Sequence, residues 1–414
     1  MSHLGLVSSA VLSNLGIKTV CFDPNIDLIN SLLKNETNID EPGLIEILKS
    51  NTKLQIFTND PKDLQNCDYI YVSQDVDTDP RNSLGLKQIE KLIFEVCEEI
   101  SFDIPIVILS QSIPGFCEQI SKTLRNPVYY QVETLVFGEA VERAKNPERI
   151  IIGKNTQNEK LPKCYARILE LYRCPIIEMD FVSAELTKIA INVYLASDVT
   201  VTNSLAEVCK ILGGEWSKIK EAIMLDKRIG KYRYLNPGLG LSGGNIERDL
   251  SAIVKLAVQN GSNKDSFKAI LESSTYYKNW ATQIIIEQRK KNIQINSFGF
   301  WGLSYKPFTN SIRNSPAILT IENLHQGARV FVHDPLVTNL QMEGVEILEV
   351  KDALQMLENI EVLLILCPWP IYRDLLNGEN LKLLRNKIII DPFLLISKDL
   401  CKELNIQHFT FYST

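Results

Sequence analysis

From Ser183 to Leu212 the chain runs thirty residues without a proline or a glycine, and an uninterrupted run of that length predicts one long helix. On either side the pattern is different. Short apolar, β-rich runs alternate with helical stretches through the first third, at Thr19–Asp23, Leu54–Thr58, Tyr69–Ser73, Ile104–Ser110, Val128–Gln131 and Arg149–Gly153. That alternation predicts βαβ units on a parallel sheet. Helical stretches continue from Asn245 to Lys291, and a second alternating region begins at Ser297. It has strands expected near Ser297–Gly302, Arg329–Asp334, Val345–Glu349, Val362–Cys367 and Lys387–Asp391. The fold class is therefore α/β. Two Rossmann-like parallel-sheet domains, residues 1–180 and 293–414, flank an all-helical central dimerisation region, residues 181–292. The long helix needs a partner for more than one face, so a homodimer built on the 183–212 helix is expected.

A chain of 414 residues exceeds one ordinary core, and 45% apolar with 23% charged residues is a globular composition. The formal charge of −6 carries no Lys/Arg block, which argues against nucleic acid or a membrane surface as partner. Nine cysteines contain no Cys-x-x-Cys pair, the pattern of reduced, buried thiols rather than of a metal site. No apolar run approaches the roughly 18 residues of a bilayer span, and the first residues lack the basic flank of a signal peptide. A cytoplasmic protein is expected.

The chemistry concentrates in residues 236–249. Gly238, Gly240, Gly243 and Gly244 precede what reads as a helix start. Such a loop predicts a backbone-lined cradle for phosphate or a developing oxyanion. The segment resembles the active-site loop of the nucleotide-sugar dehydrogenases typified by UDP-glucose 6-dehydrogenase, in which a Gly-Gly-Ser-Cys-x-x-Lys-Asp pattern supplies a cysteine nucleophile and, four residues on, an aspartate. Here Asn245 stands at the cysteine position and Asp249 keeps the aspartate. An amide forms no thioester, so thiol chemistry at that position is excluded.

The resemblance extends through most of the chain and implies further roles. Residues 184–192 are similar to the family's helix bearing a catalytic Lys and Asn, here Lys188 and Asn192, four residues apart and on one face. Residues 131–138 resemble Asn-Pro-Glu-Phe-Leu-x-Glu-Gly: Glu133 is kept, while the second glutamate has become Phe137. Ser110–Gly115 resembles Ser-Thr-Val-Pro-x-Gly, with Gln111 for the threonine. On the nucleotide-sugar side, Arg228, Tyr234, Leu235 and Lys306 fall on substrate-lining motifs. His333-Asp334-Pro335 and Cys367-Pro368-Trp369 read as fold markers.

For the cofactor, the resemblance implies NAD, with Gly5, Asp23 and Arg313 on matching positions. The family's first strand and Gly-x-Gly-x-x-Gly loop have no counterpart before Gly5, which leaves two strands without a neighbour and removes the pyrophosphate loop. Either translation starts upstream or the nucleotide site is degraded, and NAD binding is expected to be weak or absent as the N-terminus stands. The expected function is binding of an NDP-sugar, UDP-sugar above others, with at most an NAD-linked two-electron oxidation. The alternatives are a non-catalytic nucleotide-sugar binding or regulatory paralogue, and a four-electron enzyme whose nucleophile has moved to Cys117.

Overall fold

The computed structural model describes all residues except 52, 77–84, 157–158, 292–294, 325–326 and 413–414. They form two compact units, Met1–Ile191 and Asn192–Thr414. The division falls inside the long helix, which spans Phe181–Ile211.

The first unit carries β1 (Thr19–Phe22), β2 (Gln55–Thr58), β3 (Ile70–Val72), β4 (Ile106–Ile108), β5 (Val128–Val132), β6 (Ile150–Lys154) and β7 (Ile176–Asp180). The six anticipated strands all form. The seventh follows Pro175 and runs straight into the long helix with no turn residue after it, which hides its end in the sequence. Two features depart from one parallel sheet. β1 and β2 form a two-stranded parallel sheet separate from the five-stranded sheet β3-β4-β5-β6-β7, and β5 pairs with β6 antiparallel. A mixed sheet results, because strand direction is set by connections and not by apolar patterning. The first helix, His3–Asn14, is capped by Ser2, whose hydroxyl accepts from Gly5 N–H. It buries Leu6, Val7, Ala10 and Val11 against Leu44, Ile47, Leu48, Ala140 and Val141.

The second unit holds β8 (Ser297–Trp301), β9 (Arg329–His333), β10 (Glu346–Glu349), β11 (Val362–Ile365), β12 (Ile388–Ile390) and β13 (Gln407–Phe409). Their order is β10-β9-β8-β11-β12-β13, parallel throughout. Phe298, Phe300, Val330, Val332 and Leu363–Ile365 are buried on both faces, as a covered parallel sheet requires. The short, polar β13 is the strand its sequence does not announce. Gly302, at φ +90°, ends β8 where a side chain would collide with Cys367; only glycine serves there. Helices Trp216–Leu225, Asn245–Gln259, Asp265–Lys278 and Trp280–Lys291 precede the sheet. No helix among the described residues is long and apolar enough to cross a membrane.

Candidate active site

In the first unit, Glu185 and Lys188 stand three residues apart on one face of the long helix. Glu185 is fully buried. Its carboxylate accepts from Gly115 N–H at 2.7 Å, Cys117 N–H at 2.9 Å and the Ser112 hydroxyl at 3.1 Å. It thus caps helix Phe116–Thr123 from outside and fixes the Gln111–Gly115 loop three residues from Lys188. Sequence reasoning passed over Glu185, although an acid flanked by Ala184 and Leu186 on an apolar helix was the available signal.

Glu133 follows β5 and is half-buried. Burial pushes its carboxyl up, opposed by the Thr134 N–H and by the charge of Lys188, so these two predicted residues are electrostatic neighbours. Phe137 is exposed and lies against His3, ring centroids 4.3 Å apart. Buried Glu41 holds that loop by accepting from Gly138 N–H, Ala140 N–H and His3. No acid occupies the Phe137 position, and none is recruited there from Glu41, which is fully engaged. Cys117 is also closed to chemistry: it is fully buried, and burial with the adjacent Glu185 carboxylate holds its thiol well above the usual range. A relocated nucleophile at Cys117 does not fit.

The predicted cofactor residues Gly5 and Asp23 line one cavity of about 840 Å³. A side chain on Gly5 would lie 2.6 Å from the Ser73 hydroxyl, so its glycine reflects close approach of the chain. Asp23 accepts from Asn25 N–H at 2.9 Å and forms an ion pair with the Met1 amine. The fit to NAD is divided. The fold and the acid after β1 suit a ribose, whereas Gly5 N–H, which would face a pyrophosphate, already donates to the Ser2 hydroxyl.

In the second unit, Asn192 and Asp249 come together as buried partners. The Asn192 Nδ2 donates to Asp249 Oδ2 at 2.5 Å, and Arg248 Nε lies 3.4 Å from Asp249 Oδ1. Both side chains of the Arg248–Asp249 pair are at most 5% exposed. Asp249 is therefore an acceptor that holds the Asn192 amide in one orientation, its charge balanced by Arg248, rather than a free base. Asn245 is the first residue of helix Asn245–Gln259 and is exposed.

The glycine loop before it is supported by chain neighbours. Gly240 faces the Ser274 carbonyl, Gly243 the Tyr305 ring and Gly244 the Arg313 side chain, each too close to admit a β-carbon without movement. Gly243 N–H donates to the Arg313 carbonyl at 3.1 Å. An open cradle was expected; the structure instead lays Tyr305 and Arg313 against the loop and brings Arg313 beside the residue preceding Asn245. Glu247 locks the arrangement, accepting from Lys278 at 2.5 Å, Asn314 at 2.7 Å and Ser274 at 3.3 Å.

Of the substrate-side residues, Arg228 is exposed and ion-paired with Asp226 at 2.6 Å. Tyr234 presents a half-exposed ring while its carbonyl accepts from Thr202, and Leu235 is buried with its carbonyl accepting from the Trp216 indole. Lys306 Nζ lies 5.8 Å from the Tyr305 ring centre, within cation–π reach. The loop leading to it is organised by buried Asp334, whose Oδ2 accepts from Leu303 N–H, Ser304 N–H and hydroxyl, and the Trp369 indole. The motifs read as fold markers thus support a predicted binding residue. No group of three or more His, Cys, Asp or Glu side chains among the described residues is arranged to hold a metal ion.

Three domains of one family match in succession along this chain: the NAD binding domain over residues 1–175, the central domain over 182–275 and the UDP binding domain over 299–398 of the UDP-glucose/GDP-mannose dehydrogenases. The chain belongs to that family. It is similar to a UDP-glucose 6-dehydrogenase of Rickettsia conorii, 28% identical over 98% of this chain and 96% of the relative. The UDP-glucose 6-dehydrogenase TuaD of Bacillus subtilis is 27% identical over 94% and 87%. Among solved structures, a UDP-glucose dehydrogenase from Pyrobaculum islandicum superposes with a TM-score of 0.86 at 25% identity, covering 100% of this chain and 96% of the other. The family makes this an NAD-binding, nucleotide-sugar-binding oxidoreductase fold of Rossmann type.

Proposed function

We propose that this family member binds a UDP-sugar and lacks the thiol-dependent half of four-electron oxidation, so that its chemistry is at most an NAD-linked two-electron conversion of an alcohol to a carbonyl. The carrying observation is Asn245, exposed at the first position of its helix where the family pattern has its nucleophile. Supporting it are Phe137 in place of an acid and the closed environment of Cys117. The division 1–180, 181–292 and 293–414 is taken as the domain plan. In the first unit Lys188 is the cation for a developing alkoxide, with Glu133 beside it. In the second, Asn192, held by Asp249, orients a hydroxyl, and Asn245 offers an amide hydrogen bond to an oxygen. Arg228, Tyr234, Leu235 and Lys306 serve the nucleotide sugar, on an acidic protein that must collect its cations locally.

Phe137, exposed where the family pattern has an acid, also suits a second reading, a nucleotide-sugar binding protein without turnover. NAD binding by this chain is expected to be weak, because Gly5 N–H already donates to the Ser2 hydroxyl. Incubation with UDP-glucose and NAD, followed by mass spectrometry, is expected to show no steady formation of UDP-glucuronate. Its steady appearance would overturn the first reading. Slow NADH formation without uronate separates the two-electron enzyme from the binding protein.

A further inference from the structure

One face of the five-stranded sheet carries an aromatic cluster that packs around a single amide. Tyr71 of β3, Tyr129 of β5 and Tyr165 of helix Lys163–Leu171 meet there with Tyr69, the ring centres of successive pairs lying 5.0, 5.4 and 6.3 Å apart. Gln131 of β5 stands among them. Its Oε1 accepts from the Tyr71 hydroxyl at 3.0 Å and from the Tyr165 hydroxyl at 2.7 Å. Burial holds both phenols well above the usual range, so each remains an O–H donor. With both acceptor sites of that oxygen taken, the amide has one orientation and Nε2 is turned away from the two hydroxyls. Among the described residues no protein group accepts from that nitrogen.

The period of two along an extended chain puts Glu133 on the same side as Gln131. Both line one cavity of about 90 Å³, together with Thr134, Arg143, Arg149 and Tyr172. Such walls supply the two to four polar partners that a buried water needs, and the volume admits more than one molecule. The charged and titratable groups around Glu133 come from several elements. Lys188 of the long helix and Arg143 of helix Ala140–Lys145 favour its charge. Tyr165 and Tyr172 lie within its electrostatic reach on the cluster side, and Arg149, ion-paired with Glu148, lines the cavity before β6.

We infer that Gln131 is the positioning residue for Glu133: clamped by Tyr71 and Tyr165, it donates from Nε2 to water held in this cavity, and that water hydrogen-bonds the Glu133 carboxylate and favours its charged form. The family pattern has asparagine where Gln131 stands, and the extra methylene lengthens the reach of the amide toward the phenols. This role rests on the reading that Glu133 acts beside Lys188. Burial raises the Glu133 carboxyl; a bridging water opposes that rise and keeps the group able to accept a proton there.

Full-length protein carrying carbon-13 at its glutamate carboxyls is titrated by NMR, with Glu133 assigned from the signal that Glu133→Gln removes. Gln131→Met, close in volume and without the amide, is expected to make Glu133 a roughly tenfold weaker acid, as loss of one hydrogen bond to a charged group does. Tyr71→Phe with Tyr165→Phe keeps the amide but releases it, and is expected to give a smaller shift in the same direction. A change below about twofold in Gln131→Met, or none in the double phenylalanine variant, overturns the inference. In the parent itself, the side-chain amide protons of Gln131 are expected to show cross-peaks to long-lived water, and their absence overturns it whether or not the variants fold. Turnover enters none of these readouts, so a chain found to bind without reacting would sink the two-electron reading and leave this one to be decided by the titration.

Discussion

Asp249 shows how a residue kept from a catalytic pattern can be read for what it touches. It is 1% exposed, accepts from Asn192 and is balanced by Arg248. Replacing it with Ala leaves an amide and a guanidinium facing a buried gap, and removal of one partner from such a pair costs on the order of 3 kcal/mol. Urea unfolding of Asp249→Ala is expected to show that loss even in the absence of any ligand, and a variant as stable as the parent would contradict the structural role. Lys306 differs, since its ammonium lies over a ring at the end of a loop fixed by Asp334. Lys306→Ala is expected to retain stability and to weaken UDP-sugar binding by roughly 1–3 kcal/mol through the lost charge-assisted contact. Calorimetric titration decides it, and unchanged affinity rules the contact out.

At the scale of elements, the Gln111–Gly115 loop, helix Phe116–Thr123 and the long helix meet through one carboxylate. Burial pushes Glu185 above its ordinary value of 4.5. The folded chain then holds a proton that the unfolded chain has already released just above that value, so this group's contribution to stability falls as pH rises through the window. Glu185→Gln removes that slope and turns an amide nitrogen toward Gly115 N–H, a donor facing a donor, at a cost of roughly 1–3 kcal/mol. The stability gap between parent and variant is expected to be widest near pH 4 and to shrink toward pH 7 in denaturant titrations; a gap constant with pH would refute the assignment. The sequence offered Glu185 itself as an acid on an apolar helix but not its partners, which lie about seventy residues away. What was legible has a local cause. Val/Ile-rich runs such as Ile150–Ile152 and Ile388–Ile390 announce strands, and the helix starting at Asn245 follows glycines. Strand direction at β6, the split between β1 and β3, and the covering of Gly243 and Gly244 by Tyr305 and Arg313 depend on tertiary packing that no local pattern records.

For the whole molecule, the expected homodimer rests on a face that the second unit leaves in water. Tyr194, Val201, Leu205 and Val208 of the long helix are 65%, 56%, 49% and 52% exposed. Their spacings of seven, four and three residues place them in one stripe, the repeat by which two helices interlock. Scattered exposed apolar residues are ordinary, but a stripe along two and more turns of one helix is the mark of an interface. A second copy of the same helix is the partner whose pattern matches, and a two-fold axis through the stripe would cover both copies at once. Light scattering at micromolar concentration is therefore expected to give twice the 47.0 kDa chain mass. Val201→Glu with Val208→Glu places two charges on each side of that seam and is expected to yield the monomer mass, with the fold retained by circular dichroism. A monomeric parent, or a double variant that stays dimeric, would show that the stripe is not the contact.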